Sequence, residues 1–172
     1  MLTLSLLRHG QSSWDDPDLI DHERPLSKHG KDTAKIISNF IADHGLVPDR
    51  ILCSSAVRAR ETLDVLLNRL GPPQPEITLE PALYLATPTV MLGFIRETAR
   101  SVRHLMVIGH NPGLHALALD LTGSGSRRDI TSMAIKFPSG ALAVLTFEAN
   151  NWSEVRPAAS RLVHFVAARS VA

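Results

Sequence analysis

The chain has 172 residues, of which 44% are hydrophobic, with 18 Lys and Arg against 17 Asp and Glu and a single Cys, the make-up of one soluble globular domain over 1–172. One Cys excludes a disulfide framework or a multi-cysteine zinc site and makes the cytosol the expected compartment. A net charge of +1 argues against wholesale nucleic-acid binding, and no apolar run approaches the roughly 18 residues that a membrane span needs.

The opening MLTLSLLRHG has no basic stretch ahead of its short apolar run, so Thr3–Leu7 reads as a first strand and not as a signal peptide. Ser27 is a plausible N-cap for a helix whose apolar positions are Ala34, Ile37, Phe40 and Ile41. Arg50–Ser54 has the length and apolar character of a second strand. Ala59, Leu63, Leu66, Leu67 and Leu70 then share one face of a second helix. Ile77–Leu79 suggests a short third strand, and Val90, Phe94 and Ile95 a helix after Thr87. Leu105–Ile108 leads into Gly109-His110-Asn111-Pro112-Gly113 and a fourth helix carrying Leu114, Leu117, Ala118 and Leu121. Asn111 is its expected N-cap, Pro112 its first residue and Gly123 its stop. The stretch from Thr122 to Arg128 reads as a flexible loop, Ala141–Phe147 as a strand, and RLVHFVAAR as an edge strand or a short helix.

Strands alternating with helices imply right-handed crossovers, and hence an α/β fold with a mostly parallel central sheet between two helical layers. In such folds ligands sit beyond the carboxyl ends of the strands. Three of those ends carry Arg8-His9-Gly10, Ser54-Ser55 followed by Arg58, and Gly109-His110-Asn111. Each alone is weak, since a lone His is more often structural and a lone helical Arg more often solvated. Together they place two guanidiniums and two imidazoles at one sheet edge, with no adjacent carboxylate in sequence. That is an anion site suited to the tetrahedral oxygens of phosphate, with helix N-termini adding oriented N–H groups.

These motifs resemble the histidine phosphatase superfamily, in its short SixA-like phosphohistidine phosphatase branch. The resemblance rests on Arg8-His9-Gly10, on Ser54 through Ala59 with Glu61-Thr62, and on Gly109 through Gly113. It extends to Arg24-Pro25-Leu26-Ser27, Leu83-Tyr84 and the stretch from Pro138 past Trp152 to Leu162. It implies a phosphoglycerate-mutase-like α/β/α sandwich, His9 as nucleophile, and Arg8, Arg58 and His110 as a phosphate clamp, with the phosphoryl group passing through a phosphohistidine on His9. Phosphoryl transfer asks mainly for positioning and charge stabilisation, so no metal or other cofactor is expected. His9 must be neutral to attack, and the neighbouring arginines are expected to hold its pKa below 6.5. His110 is expected to be protonated once phosphate is bound. Gly10 lets the backbone approach the His9 ring and set its tautomer, and Gly10 and Asn111 are expected among the substrate-binding residues. A leaving group also needs a proton. Asp21, in a loop with Asp15, Asp16, Asp18 and Glu23, is the preferred donor, and Glu80 at the end of the third strand the alternative.

Only sixteen residues, Gly71 to Ala86, join the second helix to the third, which leaves no room there for a helical lid. The expected partner is therefore a phosphorylated protein, with phosphohistidine as the leading substrate, or a small phosphorylated molecule. A phosphoglycerate-mutase-like isomerase is disfavoured by the missing lid. A non-catalytic phosphate-binding module has no use for His9, and a metallohydrolase built on His9, Asp21 and His110 lacks a helical metal-pair spacing. Cys53 is read as a small buried hydrophobe, and His115 as lying off the His110 face.

Overall fold

In the first strand, β1 (Leu2–Arg8), side chains alternate between two cores: Leu2, Leu4 and Leu6 are buried in one and Leu7 in the other. The same division runs through β4 (His104–Gly109), with Leu105 and Val107 opposed to Met106 and Ile108, and through β6 (Leu142–Phe147). Successive side chains of a strand point to opposite faces, so a strand covered on both sides is apolar at most positions. The computed structural model describes residues 1–171.

The remaining elements are α1 (Lys28–Asp43), β2 (Arg50–Ser54), α2 (Val57–Leu70), β3 (Glu76–Glu80), α3 (Pro88–Arg96), α4 (Gly113–Leu121), β5 (Thr122–Gly125), α5 (Arg127–Ile135), β7 (Ser160–Val166) and α6 (Ala168–Val171). Turns of 3₁₀ helix lie at Asp21–Glu23, Pro81–Leu83 and Trp152–Glu154. One seven-stranded sheet has the order β3-β2-β4-β1-β6-β7-β5. Only β6 runs against its neighbours, β1 and β7; every other pairing is parallel. Helices α1, α2 and α6 cover one face, and α3, α4 and α5 the other, giving the expected three-layer sandwich. Trp152, fully buried, closes the core of Leu2, Leu4 and Leu6 and donates Nε1–H to the Val102 carbonyl at 2.7 Å. Among the described residues no helix is long and apolar enough to cross a membrane.

Ser27 caps α1, accepting from Gly30 N–H, and Thr87 caps α3, accepting from Val90 N–H. Three local expectations are corrected. The fourth helix starts at Gly113 with Pro112 as its cap; Asn111 stands one residue earlier, and its Oδ1 accepts from His115 N–H. Gly123 does not merely stop a helix, and Thr122–Gly125 is not a loop: it is β5, paired in parallel with β7. Its composition has no strand pattern, and it forms because β7 offers an open edge and Gly123 allows contact. A Cβ at Gly123 would lie 2.1 Å from the Ala158 carbonyl oxygen. As a result β7 is an interior strand. Helix α5 follows at once, capped by Ser126, whose hydroxyl accepts from Asp129 N–H.

Candidate active site

Strand β4 lies between β1 and β2, all three parallel, and their carboxyl ends bring Arg8-His9, Ser54-Ser55 and Gly109-His110 to the same edge of the sheet. The backbone of His9 is pinned by its own N–H to the Gly109 carbonyl and by Gly140 N–H donating to the carbonyls of Arg8 and His9. Its ring, on a residue only 6% exposed, meets the Gly10 carbonyl through Nδ1 at 2.6 Å. A carbonyl can only accept, so Nδ1 carries the proton and Nε2 carries the lone pair. Arg58 donates from Nε to that Nε2 at 3.3 Å.

Gly10 holds the turn beside the ring. Its N–H donates to Thr62 Oγ1, and a Cβ there would stand 2.6 Å from the Gly30 carbonyl oxygen of α1. Thr62 in turn donates to the Arg58 carbonyl, one turn back on α2. His110 lies beside His9 with ring centroids 4.8 Å apart. Its Nε2 is 2.7 Å from Ser54 Oγ, which also accepts from Ala56 N–H. His110 Nδ1 is buried, with no hydrogen-bond partner among the described residues. Arg8 donates from Nη1 to the Phe137 carbonyl at 3.0 Å, and Asn111 Nδ2 donates to the same oxygen at 2.9 Å.

The arrangement is matched elsewhere. The model of the histidine phosphatase superfamily (branch 1) matches residues 4–84. Uncharacterized protein ML1117 of Mycobacterium leprae is 32% identical over 92% of this chain and 98% of its own. The Agrobacterium tumefaciens protein assigned as the phosphohistidine phosphatase SixA superposes with a TM-score of 0.81 at 28% identity, covering 96% of this chain and 97% of that one. This chain belongs to the histidine phosphatase superfamily. A SixA structure complexed with tungstate shares the fold, with a TM-score of 0.79 at 20% identity over 99% of this chain and 100% of that one.

Within this histidine phosphatase, the cause of His9 neutrality differs in emphasis from the expectation. Burial lowers its pKa most, to about 4, with Arg58 and Arg8 adding to the effect and the Gly10 carbonyl opposing it. Burial also brings His110 down to about 3, assisted by His9 and Arg58. His104, half-buried on β4 against Ser5 Oγ at 2.8 Å, is lowered to about 4 by burial. All three imidazoles are neutral in the folded protein at pH values where the unfolded chain takes up protons. Stability is therefore complete above about pH 6.5 and is lost as pH falls toward 4. The melting temperature should drop by at least roughly 5 °C over that window, and His104→Asn, remote from the site, should flatten the slope. A melting temperature indifferent to pH between 7 and 4 would refute this.

Asp21 reaches the cluster from the loop after β1. Its Oδ2 accepts from Arg58 Nη2 at 2.9 Å and from the Tyr84 hydroxyl, its Oδ1 accepts from Arg24 at 3.0 Å, and its carbonyl accepts from Arg58 Nη1 at 2.7 Å. Tyr84, then Arg58 and Arg24, hold this carboxyl ionised, with a pKa of about 2. Glu80 is placed otherwise. Its side chain accepts from Ala82 N–H and caps the Pro81–Leu83 turn, one strand outward from Ser54.

Of the residues expected to bind substrate, Gly10 donates its one N–H to Thr62, and the Asn111 side chain braces the Phe137 carbonyl that also accepts from Arg8. The residues not foreseen in functional roles are Ser54, Thr62, Tyr84, His22 and Arg24. His22 bonds Ser55 Oγ at 2.9 Å and packs edge-on against Tyr84, which also packs edge-on against His110. Two signals were in the sequence: Thr62 stands four residues after Arg58 on one helix face, and Tyr84 is the only tyrosine, just beyond a strand end. His115 bonds the Met133 carbonyl, and Cys53 is buried with its thiol pushed up to about 12 by burial. Among the described residues no three His, Cys, Asp or Glu side chains converge to hold a metal ion.

Proposed function

We propose that this protein is a metal-independent phosphatase that takes a phosphoryl group onto His9 Nε2 and releases it to water, with phosphohistidine on a protein as its leading substrate. The observation that carries this reading is the His9 ring itself. Its Nδ1–H is fixed on Gly10, and its unprotonated Nε2 faces the Arg58 guanidinium in a buried, cationic pocket. In the first step the Nε2 lone pair forms the N–P bond while the bond from phosphorus to the leaving group breaks. Arg8, Arg58 and the unpartnered Nδ1 of His110 supply cationic and N–H contacts to the three phosphoryl oxygens. Phosphate binding favours protonation of His110, since burial alone no longer outweighs the adjacent anion. In the second step water attacks phosphorus, the N–P bond breaks, and neutral His9 returns.

Asp21 serves the proton transfers in this reading. An arriving phosphoryl group competes for the Arg58 fork, so the Asp21 carboxyl exchanges a cationic partner for an anionic neighbour. Both changes raise its pKa and let it take and give a proton. Asp21→Asn should then slow hydrolysis of an alkyl phosphate by about 10²- to 10⁴-fold, and that of phosphohistidine, whose imidazole leaves more easily, by far less. Glu80→Gln should be nearly silent on both. An equal loss on every substrate would leave Asp21 only the task of holding Arg58, and a selective loss in Glu80→Gln would move the acid there.

The short connection between α2 and α3, made of β3 and one turn, supports an open site able to admit a histidine on a protein surface. The reading is tested by phosphate release from a chemically phosphorylated histidine peptide after exhaustive chelation. Full activity is expected, with inhibition by tungstate as a phosphate mimic. Loss of activity on chelation, restored by a divalent ion, would replace it with metal-assisted hydrolysis.

A further inference from the structure

Arg8 belongs to two surfaces. Besides standing by His9 and Arg58, it lines a cleft of about 340 Å³ with His29 and Lys136. A wider cleft of about 580 Å³ shares His29 and Lys136 and continues along α5 and the end of β7, past Arg128, Asp129 and Phe165. Apart from Arg8, none of these side chains has a part in the chemistry above.

The lining is unbalanced in charge. Arg8, Lys136, Arg128 and Arg169 face a single carboxylate, Asp129, on a chain whose net charge is only +1. Lys136 and Arg128 are exposed and form no ion pair among the described residues. They lie eight residues apart at the two ends of α5, about 12 Å along its axis, too far to grip one phosphate together. Between them the rim carries Ile135, 78% exposed, and the floor carries Phe165. Spaced cations with apolar positions between them complement an extended chain bearing several carboxylates and an apolar side chain.

We propose that this cleft seats an acidic, partly apolar segment of a phosphorylated protein, next to the phosphohistidine whose phosphoryl group enters the clamp. The proposal rests on the phosphatase reading and adds to it a means of choosing substrates. Because Arg8 is shared, a segment lying in the cleft is continuous with the group presented to His9. Binding there lowers KM and leaves the chemical step unchanged.

The test uses two short peptides, each chemically phosphorylated on one histidine and flanked either by Glu and Leu or by Lys and Leu, with p-nitrophenyl phosphate as a substrate too small to reach the cleft. The wild-type enzyme should favour the acidic peptide by about tenfold or more in kcat/KM, and about 0.5 M salt should erase the preference. Lys136→Glu with Arg128→Glu should remove it through KM, leaving p-nitrophenyl phosphate hydrolysis as it was. Lys136→Gln with Arg128→Gln should fall between. Equal kcat/KM for the two peptides, or a preference that survives the double reversal, would overturn the proposal while leaving the phosphatase intact. Absence of hydrolysis of all three substrates by the wild-type enzyme would overturn the phosphatase reading itself.

Discussion

His9→Ala is expected to abolish turnover on every substrate while the protein stays folded. Among the described residues the ring is the only group whose lone pair stands beside Arg58 with its opposite nitrogen fixed by a backbone carbonyl, and none of its described neighbours can replace it. His110, 4.8 Å away between centroids, has its Nε2 engaged with Ser54 and sits on a different strand end. Rapid quenching of the wild-type enzyme with a slow substrate should trap an acid-labile, base-stable phosphoryl adduct that is absent from His9→Ala. Since the His9 pKa lies near 4, the neutral nucleophile persists through mildly acidic conditions, and activity that depends on it should fall only as pH drops through that value. More than a few per cent of residual activity in His9→Ala would mean that the nucleophile lies elsewhere.

The second large effect concerns Arg58, 4% exposed, whose guanidinium binds His9 Nε2 with one nitrogen and Asp21 with the other two. Arg58→Lys keeps the charge and loses the fork. A lysine ammonium is a point donor that cannot hold the nucleophile, the loop carboxylate and a phosphoryl oxygen in one plane. We expect kcat/KM to fall by about 10²-fold, which corresponds to about 2.7 kcal/mol of transition-state stabilisation. Arg58→Lys should also loosen the Asp21 loop, seen as faster amide exchange over residues 15–24. A lysine variant as active as the wild type would show that the fork is not used.

The order of elements and the strand ends that carry chemistry were determined by the sequence itself. A doubly covered strand is apolar at most positions, and residues that follow such strands must gather at one edge of a parallel sheet. Arg8, His9, Arg58 and His110 are brought together by that rule alone. Local rules also sufficed for the cap at Ser27, because an N-cap depends on a side chain and a backbone N–H three residues on.

Only the tertiary structure decided what depends on contact between distant segments. Thr122–Gly125 has no strand pattern and becomes β5 because the edge of β7 pairs with it. Asp21 is one of several acids in its loop, marked locally only by Arg24 three residues on. It is set apart when Arg58 and Tyr84, 37 and 63 residues away, converge on the same carboxyl. The hydrogen bonds of Gly10 and Asn111 are set in the same way, by partners that lie 52 and 26 residues away. Burial, too, is a property of the assembled layers. The neighbouring arginines suggested that His9 would be neutral, but the largest cause is the removal of its ring from water, which no stretch of sequence displays.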